Sequence, residues 1–188
     1  MVKEQLIHLC LDILGLRFGD RTLALHIENA WNTVVGQTFR KDCQQFDFYS
    51  KPYEVDVVHG NRPYSILPES IIQTIDHANG VRRITPLDSN QFDFVPIPSI
   101  ALLAFDAVDL GDVTDSIGYY VKHDKVEYWN MPSYIKKVRM ELVIPFSKWD
   151  DLDDIPLPDG TAEQIVQMAC LSYRGGNVQT DIHTKSEQ

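Results

Sequence analysis

The sequence contains no apolar run long enough to cross a bilayer. Cysteine is scarce: Cys10, Cys43 and Cys170 are the only three, far apart and odd in number. No Cys-x-x-Cys and no Cys/His pair at zinc spacing occurs, which excludes a disulfide framework and a zinc site of the usual kind. Cys10 and Cys170 fall in apolar helical stretches and read as small buried hydrophobes. Base is short as well, with 17 Lys and Arg against 27 Asp and Glu and a formal charge of −10. That balance argues against a groove that grips nucleic acid and against adsorption to anionic membrane. There is no Gly-x-Ser-x-Gly elbow, no Gly-rich phosphate loop and no His-Glu-x-x-His. No catalytic, cofactor-binding or metal-binding residue is assigned, no cofactor is expected, and the protein is read as a non-enzyme. The start, Met1-Val2-Lys3-Glu4-Gln5, lacks a signal peptide's basic opening and clean apolar run, so cytoplasmic synthesis is expected.

What is present is ordinary globular composition, 44% hydrophobic and 23% charged over 188 residues. Folding such a chain removes roughly 70% of its accessible surface, enough for a core without staples. Val2–Leu14 reads as a helix with Glu4, Gln5, His8 and Asp12 on one narrow face and apolar residues nearly everywhere else. Its apolar stripe is wider than a helix on a single core needs, so cover from two sides is expected. Gly15 is the expected stop. A second helix is expected from Asp20, a good N-cap, to Phe39, with Leu23, Ile27, Ala30, Trp31, Val34, Val35 and Phe39 at 3.6 spacing. The short link Gly15–Gly19 predicts antiparallel neighbours.

From about residue 46 to 146 the period becomes two. Tyr53, Val55 and Val57 alternate with Glu54 and Asp56, and Tyr64–Leu67 is expected to pair back. Hairpins are predicted at Asp76–Gly80 and at Lys122–Lys125. Val138, Met140, Leu142 and Ile144 make a long strand with one wet face. Pro98–Val113 is ambiguous between helix and strand. After an acidic connector over 147–160, Thr161 with Gln164 forms a capping box for a last helix to about Tyr173, ended by Gly175-Gly176. The expectation is an α+β fold in one domain, 1–176. An N-terminal helix pair and a C-terminal helix pack together beside a central antiparallel β domain, and a flexible tail spans 177–188.

Each candidate for chemistry has a plainer reading. Asp150, Asp151, Asp153 and Asp154 could hold a hard cation, but the spacing is not that of an EF-hand, and a solvated linker is favoured. His77 beside Asp76, and His123 beside Asp124, sit in predicted turns where Asp, Asn and Gly are the usual formers. Arg82-Arg83, Lys136-Lys137 and Arg139 read as surface charge. Tyr119, Tyr120, Tyr128, Trp129 and Tyr134 suit an interface or a half-buried sheet, with core packing preferred.

The order of elements, with the segments "YEVDVVHGNRPYSILPESIIQTIDHANGVRRI", "IGYYVKHDKVEYWNMP" and "KKVRMELVIPFSKWDDLDDIPLP", resembles tailed-phage head-to-tail connector proteins. These are adaptor or ring proteins of the tail-tubular type, and the similarity is to ring proteins of crAss-like phages in particular. The resemblance spans roughly residues 1–175 in architecture and carries no catalytic signature. It implies a virion structural protein at the neck, a ring of identical copies, commonly twelve. Its partners would be the portal and adjacent ring or tail proteins. DNA would pass through as a non-specifically contacted polymer, and no membrane would be involved. Two other readings compete: an acidic module binding a host protein, and a metal-dependent hydrolase using Asp150, Asp151, Asp153 and histidines.

Overall fold

The computed structural model describes residues 1–19, 21–41, 49–72, 80–87, 92–97 and 116–185, with backbone alone for 38–41 and 176–185. Asp20, Cys43, the Asp76-His77 turn and Pro98–Val113 lie outside the described residues. The chain divides into two compact units, Met1–Tyr49 with Pro145–Gln188, and Ser50–Ile144. The class is α+β as expected.

The helical unit holds α1 (Lys3–Leu14), α2 (Arg21–Lys41), a 3-10 turn (Phe146–Lys148) and α3 (Thr161–Lys185). Both α1 and α2 pack against α3. Val2 at the N-cap of α1 offers no side-chain cap. The first N–H groups of α1 go instead to the acidic loop: Lys3 N to Asp153 O at 3.4 Å and Glu4 N to Asp151 O at 3.2 Å. Orphan N–H groups at a helix start need acceptors, and here loop carbonyls supply them. At the other end Gly15 is left-handed at φ 68°, as its place in the sequence predicted. Its N–H bonds Asp12 O, and Leu16 N–H bonds Leu11 O, a Schellman closure.

The predicted spine of α2 is buried from Leu23 to Val35, through Ile27, Ala30, Trp31 and Val34, and the Phe39 side chain lies outside the described residues. Trp31 sits at the centre, edge-on to Tyr49 at 5.9 Å and to Trp149 at 6.4 Å, with Phe146 at 5.8 Å. Two expectations about α3 fail. Gln164 N–H bonds Gly160 O, which makes Gly160 the N-cap and Thr161 the first helical residue, so no Thr161 capping box opens the helix. Gly175-Gly176 does not end it, and helix continues over the predicted tail to Lys185. A glycine stops a helix by turning left-handed, and Gly175 keeps a φ outside that region. In the interior each costs only about 1 kcal/mol against alanine, and no proline follows.

The β unit holds two sheets. In the first, β7 (Lys137–Val143) lies between β1 (Ser50–Asp56) and β3 (Val81–Pro86), antiparallel to both. Val138, Met140 and Leu142 on β7 are fully buried, as their alternation predicted. The second runs β2 (Tyr64–Ile66), β6 (Lys125–Trp129), β5 (Ser116–Lys122) and β4 (Asp93–Pro96). Here β4 runs parallel to β5, which the expectation of tight antiparallel turns did not foresee. Tyr64 bridges back to Val58 as expected, but its strand pairs with β6. The β5–β6 hairpin is as predicted, turning at His123-Asp124 with His123 at φ 57°.

Candidate functional site

The residues singled out for chemistry do not converge. Among the described residues no group of three or more His, Cys, Asp or Glu could hold a metal. The acidic run is a structured turn: Asp153 Oδ2 accepts Asp150 N–H at 2.9 Å, and Asp151 pairs with Lys3 at 3.3 Å. Lys3 also donates to Trp149 O at 2.6 Å. The solvated linker of the sequence reading is therefore a cap for α1. The histidines are spread out. His59 bonds Ile135 O at 2.8 Å, His26 bonds Ser172 Oγ at 2.8 Å, and His8 lies 3.6 Å from Glu4.

Cys10 and Cys170 meet between α1 and α3, both buried, with Cys170 Sγ 3.8 Å from Cys10 O. Burial, then the neighbouring Cys170, pushes the Cys10 thiol up to about 12. Such a thiol is fully protonated at neutral pH and is no nucleophile. The strand cations are opposed pair by pair across the first sheet. Lys137 faces Asp56, Arg139 faces Glu54, and Arg82 is ion-paired with Glu141. A ladder of this kind leaves little charge for a phosphate. Of the aromatic run, Tyr119 and Tyr128 are core, and burial raises both phenols, Tyr119 to about 12. Tyr128 donates to buried Ser65 at 3.1 Å.

Two surfaces remain open. On α1, Leu6, Cys10 and Leu11 are buried, but Leu9 is 41% and Ile13 49% exposed, one helical turn apart. Arg174, one turn beyond exposed Leu171 on α3, donates to Ile13 O at 2.8 Å, so Leu171 flanks the same seam. The cover from two sides expected for α1 is not completed by the described residues of this unit. The unit also has a half-open pocket of about 440 Å3 lined by Ile7, Leu23, Ile27 and Phe146. Its charged walls are engaged: Lys3 as above, and Glu28 by Ser147 N–H at 2.7 Å.

The second surface is one face of the four-stranded sheet. Strand alternation and register place Lys125, Glu127 and Trp129 on it with Tyr64, Ile66, Tyr120 and Lys122. Glu127 is only 6% exposed, yet it lies among three cations: Lys125 at 3.0 Å, Arg62 at 3.5 Å and Lys122 at 3.8 Å. Burial alone would raise its carboxyl. Hydrogen bonds and charge from Lys125, Lys122 and Arg62 outweigh burial and hold it below the ordinary value. Arg62 stacks over Trp129 at 4.8 Å and Lys125 over Tyr64 at 5.2 Å. Sequence reasoning missed this cluster. Glu127 inside Val126–Trp129, with Lys122 and Lys125 just before it, was a usable signal; Arg62, in a distant turn, offered none.

Compared with known proteins, the chain matches no family model and no curated protein. Among the described residues no helix is long and apolar enough to cross a membrane.

Proposed function

We propose that this chain is a virion structural protein, a ring-forming component of a phage head-to-tail connector that performs no catalysis. Copies associate side by side around a channel beneath the portal, contact it and the adjoining ring or tail proteins, and let DNA pass. The observation that carries the reading is the open apolar stripe of α1, Leu9 and Ile13. A heterologous ring interface covers a second face of every copy, which is what this helix lacks within its own unit. The order of helices around a β segment supports it, as does the resemblance of the sequence to connector ring proteins. Exposed acid gives the channel reading a physical basis: carboxylates repel phosphate and keep transiting DNA from sticking.

The test is position in an intact particle. Antibody labelling with electron microscopy is expected to place the protein on the neck axis, in a ring. Its absence from the particle, or a position off that axis, overturns the reading. A channel lined by Lys and Arg would return the acid excess to a role in solubility.

A further inference from the structure

Most of this protein's surface charge is either negative or cancelled across a strand pair. The open face of the four-stranded sheet is different. Arg62, Lys122 and Lys125 gather on one carboxylate, Glu127, so the cluster carries a surplus of positive charge in a chain of net −10. Glu127 takes up the inward-facing donors and is itself almost covered, while the cation side chains stay between 36% and 53% exposed. Beside them Ile66 on β2, the register partner of Lys125, is 61% exposed. A surface of this make-up fits an anionic segment that also presents an apolar side chain.

The chain holds a segment of that chemistry. In Asp150-Asp151-Leu152-Asp153-Asp154, four carboxylates flank Leu152, which is 83% exposed at the crest of the turn. The turn is pre-formed, with Asp153 Oδ2 on Asp150 N–H and Asp151 on Lys3, so little ordering opposes its docking. We propose that the open sheet face of one copy is the seat for the 150–154 turn of the next copy. Its cations take the carboxylates, and Ile66 takes Leu152. The inference rests on the ring reading and deepens it by naming the two surfaces that meet. They are different surfaces, so in a ring each copy gives its turn to one neighbour and its seat to the other. Single-stranded nucleic acid is the competing occupant for a basic face with aromatics. Exposed Ile66, and ring faces of Tyr64 and Trp129 already covered by Lys125 and Arg62, favour the acidic turn.

The test uses zero-length amine-to-carboxyl cross-linking of full-length protein. Equal amounts of heavy-isotope-labelled and unlabelled chain are mixed at low salt and millimolar concentration. Mixed-isotope peptides joining Lys122 or Lys125 to the 150–154 turn are expected, with a yield that falls as salt rises. Two variants add no amine and no carboxylate: Ile66→Asn spoils the seat and Leu152→Arg spoils the turn. Each alone is expected to lose the links by roughly tenfold. Mixing the two restores them, because one intact seat then meets one intact turn, which a folding defect could not do.

Links confined to chains of one isotope, absence of links at millimolar protein, or variants that link as well as the parent each overturn the seat. Competition by single-stranded DNA at the same lysines, with no inter-chain link in its absence, assigns the face to nucleic acid and overturns it too. Failure of the ring reading is read separately, from the particle. A protein on the neck axis whose assembled copies lack these links overturns the seat alone.

Discussion

The helical unit is built from the two ends of the chain, whereas the β unit is one unbroken stretch, Ser50–Ile144. The two are therefore held in different ways. In the helical unit the decisive contacts span about the whole sequence: α1 starts on the carbonyls of Asp151 and Asp153, and Cys10 meets Cys170. In the β unit every partner comes from within one segment: β5 and β6 form a local hairpin, while β1 and β3 close on β7, and β2 on β6, from far along it. Their outer faces differ as well. The helical unit leaves an apolar stripe on α1, while the β unit leaves a cationic and aromatic face around a covered carboxylate. One chain thus offers two chemically distinct surfaces, which head-to-tail association requires and a two-fold dimer does not.

The sharpest way to break this comparison is at Trp31. Trp31→Ala removes the ring on which Tyr49, Phe146 and Trp149 pack, and is expected to cost about 3–5 kcal/mol. Denaturant unfolding followed by helix and strand signals checks it. Loss of the helical signal first would show the units unfolding separately, and a single shared transition would show them coupled. In the β unit the largest effect falls on Gly80, at φ 39°. A Cβ there would lie 2.6 Å from Ile72 O, a backbone atom that cannot swing away. Gly80→Ala is expected to cost roughly 1–3 kcal/mol in thermal unfolding.

Tyr128→Phe leaves buried Ser65 without its phenol partner, at a cost of about 1–2 kcal/mol. The Glu127 cluster gives a pH signature whose sign is fixed. The folded carboxyl lies below its ordinary value of 4.5, so its stabilisation is complete above that value. It is lost as pH falls through the lowered folded value. Unfolding measured down to acid pH should show this loss in the parent and lack that component in Glu127→Gln. The smallest effect on stability belongs to the outer face of α1. Leu9→Glu and Ile13→Glu should shift stability by no more than about 0.5 kcal/mol while abolishing incorporation into particles. A variant that incorporates normally would show that this stripe is not an interface.

Much of the helical spine was legible because 3.6 periodicity is local: Leu23 through Val35, and the Gly15 stop, follow from side chains a few residues apart. The β7 alternation and the His123-Asp124 hairpin were legible for the same reason. The Gly175-Gly176 stop was misread because glycine permits a left-handed turn without imposing one. The parallel pairing of β4 with β5 was not legible, since a strand's own pattern does not specify its neighbour's direction. Of the candidate surfaces, Lys122, Lys125 and Glu127 were within reach of a local reading, whereas Arg62 was not.

The sequence by itself determined the order of helices around a run of strands, much of the core, and that the chain is acidic with no catalytic or metal-binding motif. Those properties depend on neighbours along the chain, where spacing alone sets which side chains share a face. Only the tertiary structure decided what the acidic run does, which cations share Glu127, and which side of α1 stays open. Each of these is settled by residues tens to more than a hundred positions apart. Nothing in the local pattern of Asp150–Asp154 records that its carbonyls receive the first N–H groups of the helix at the other end of the chain.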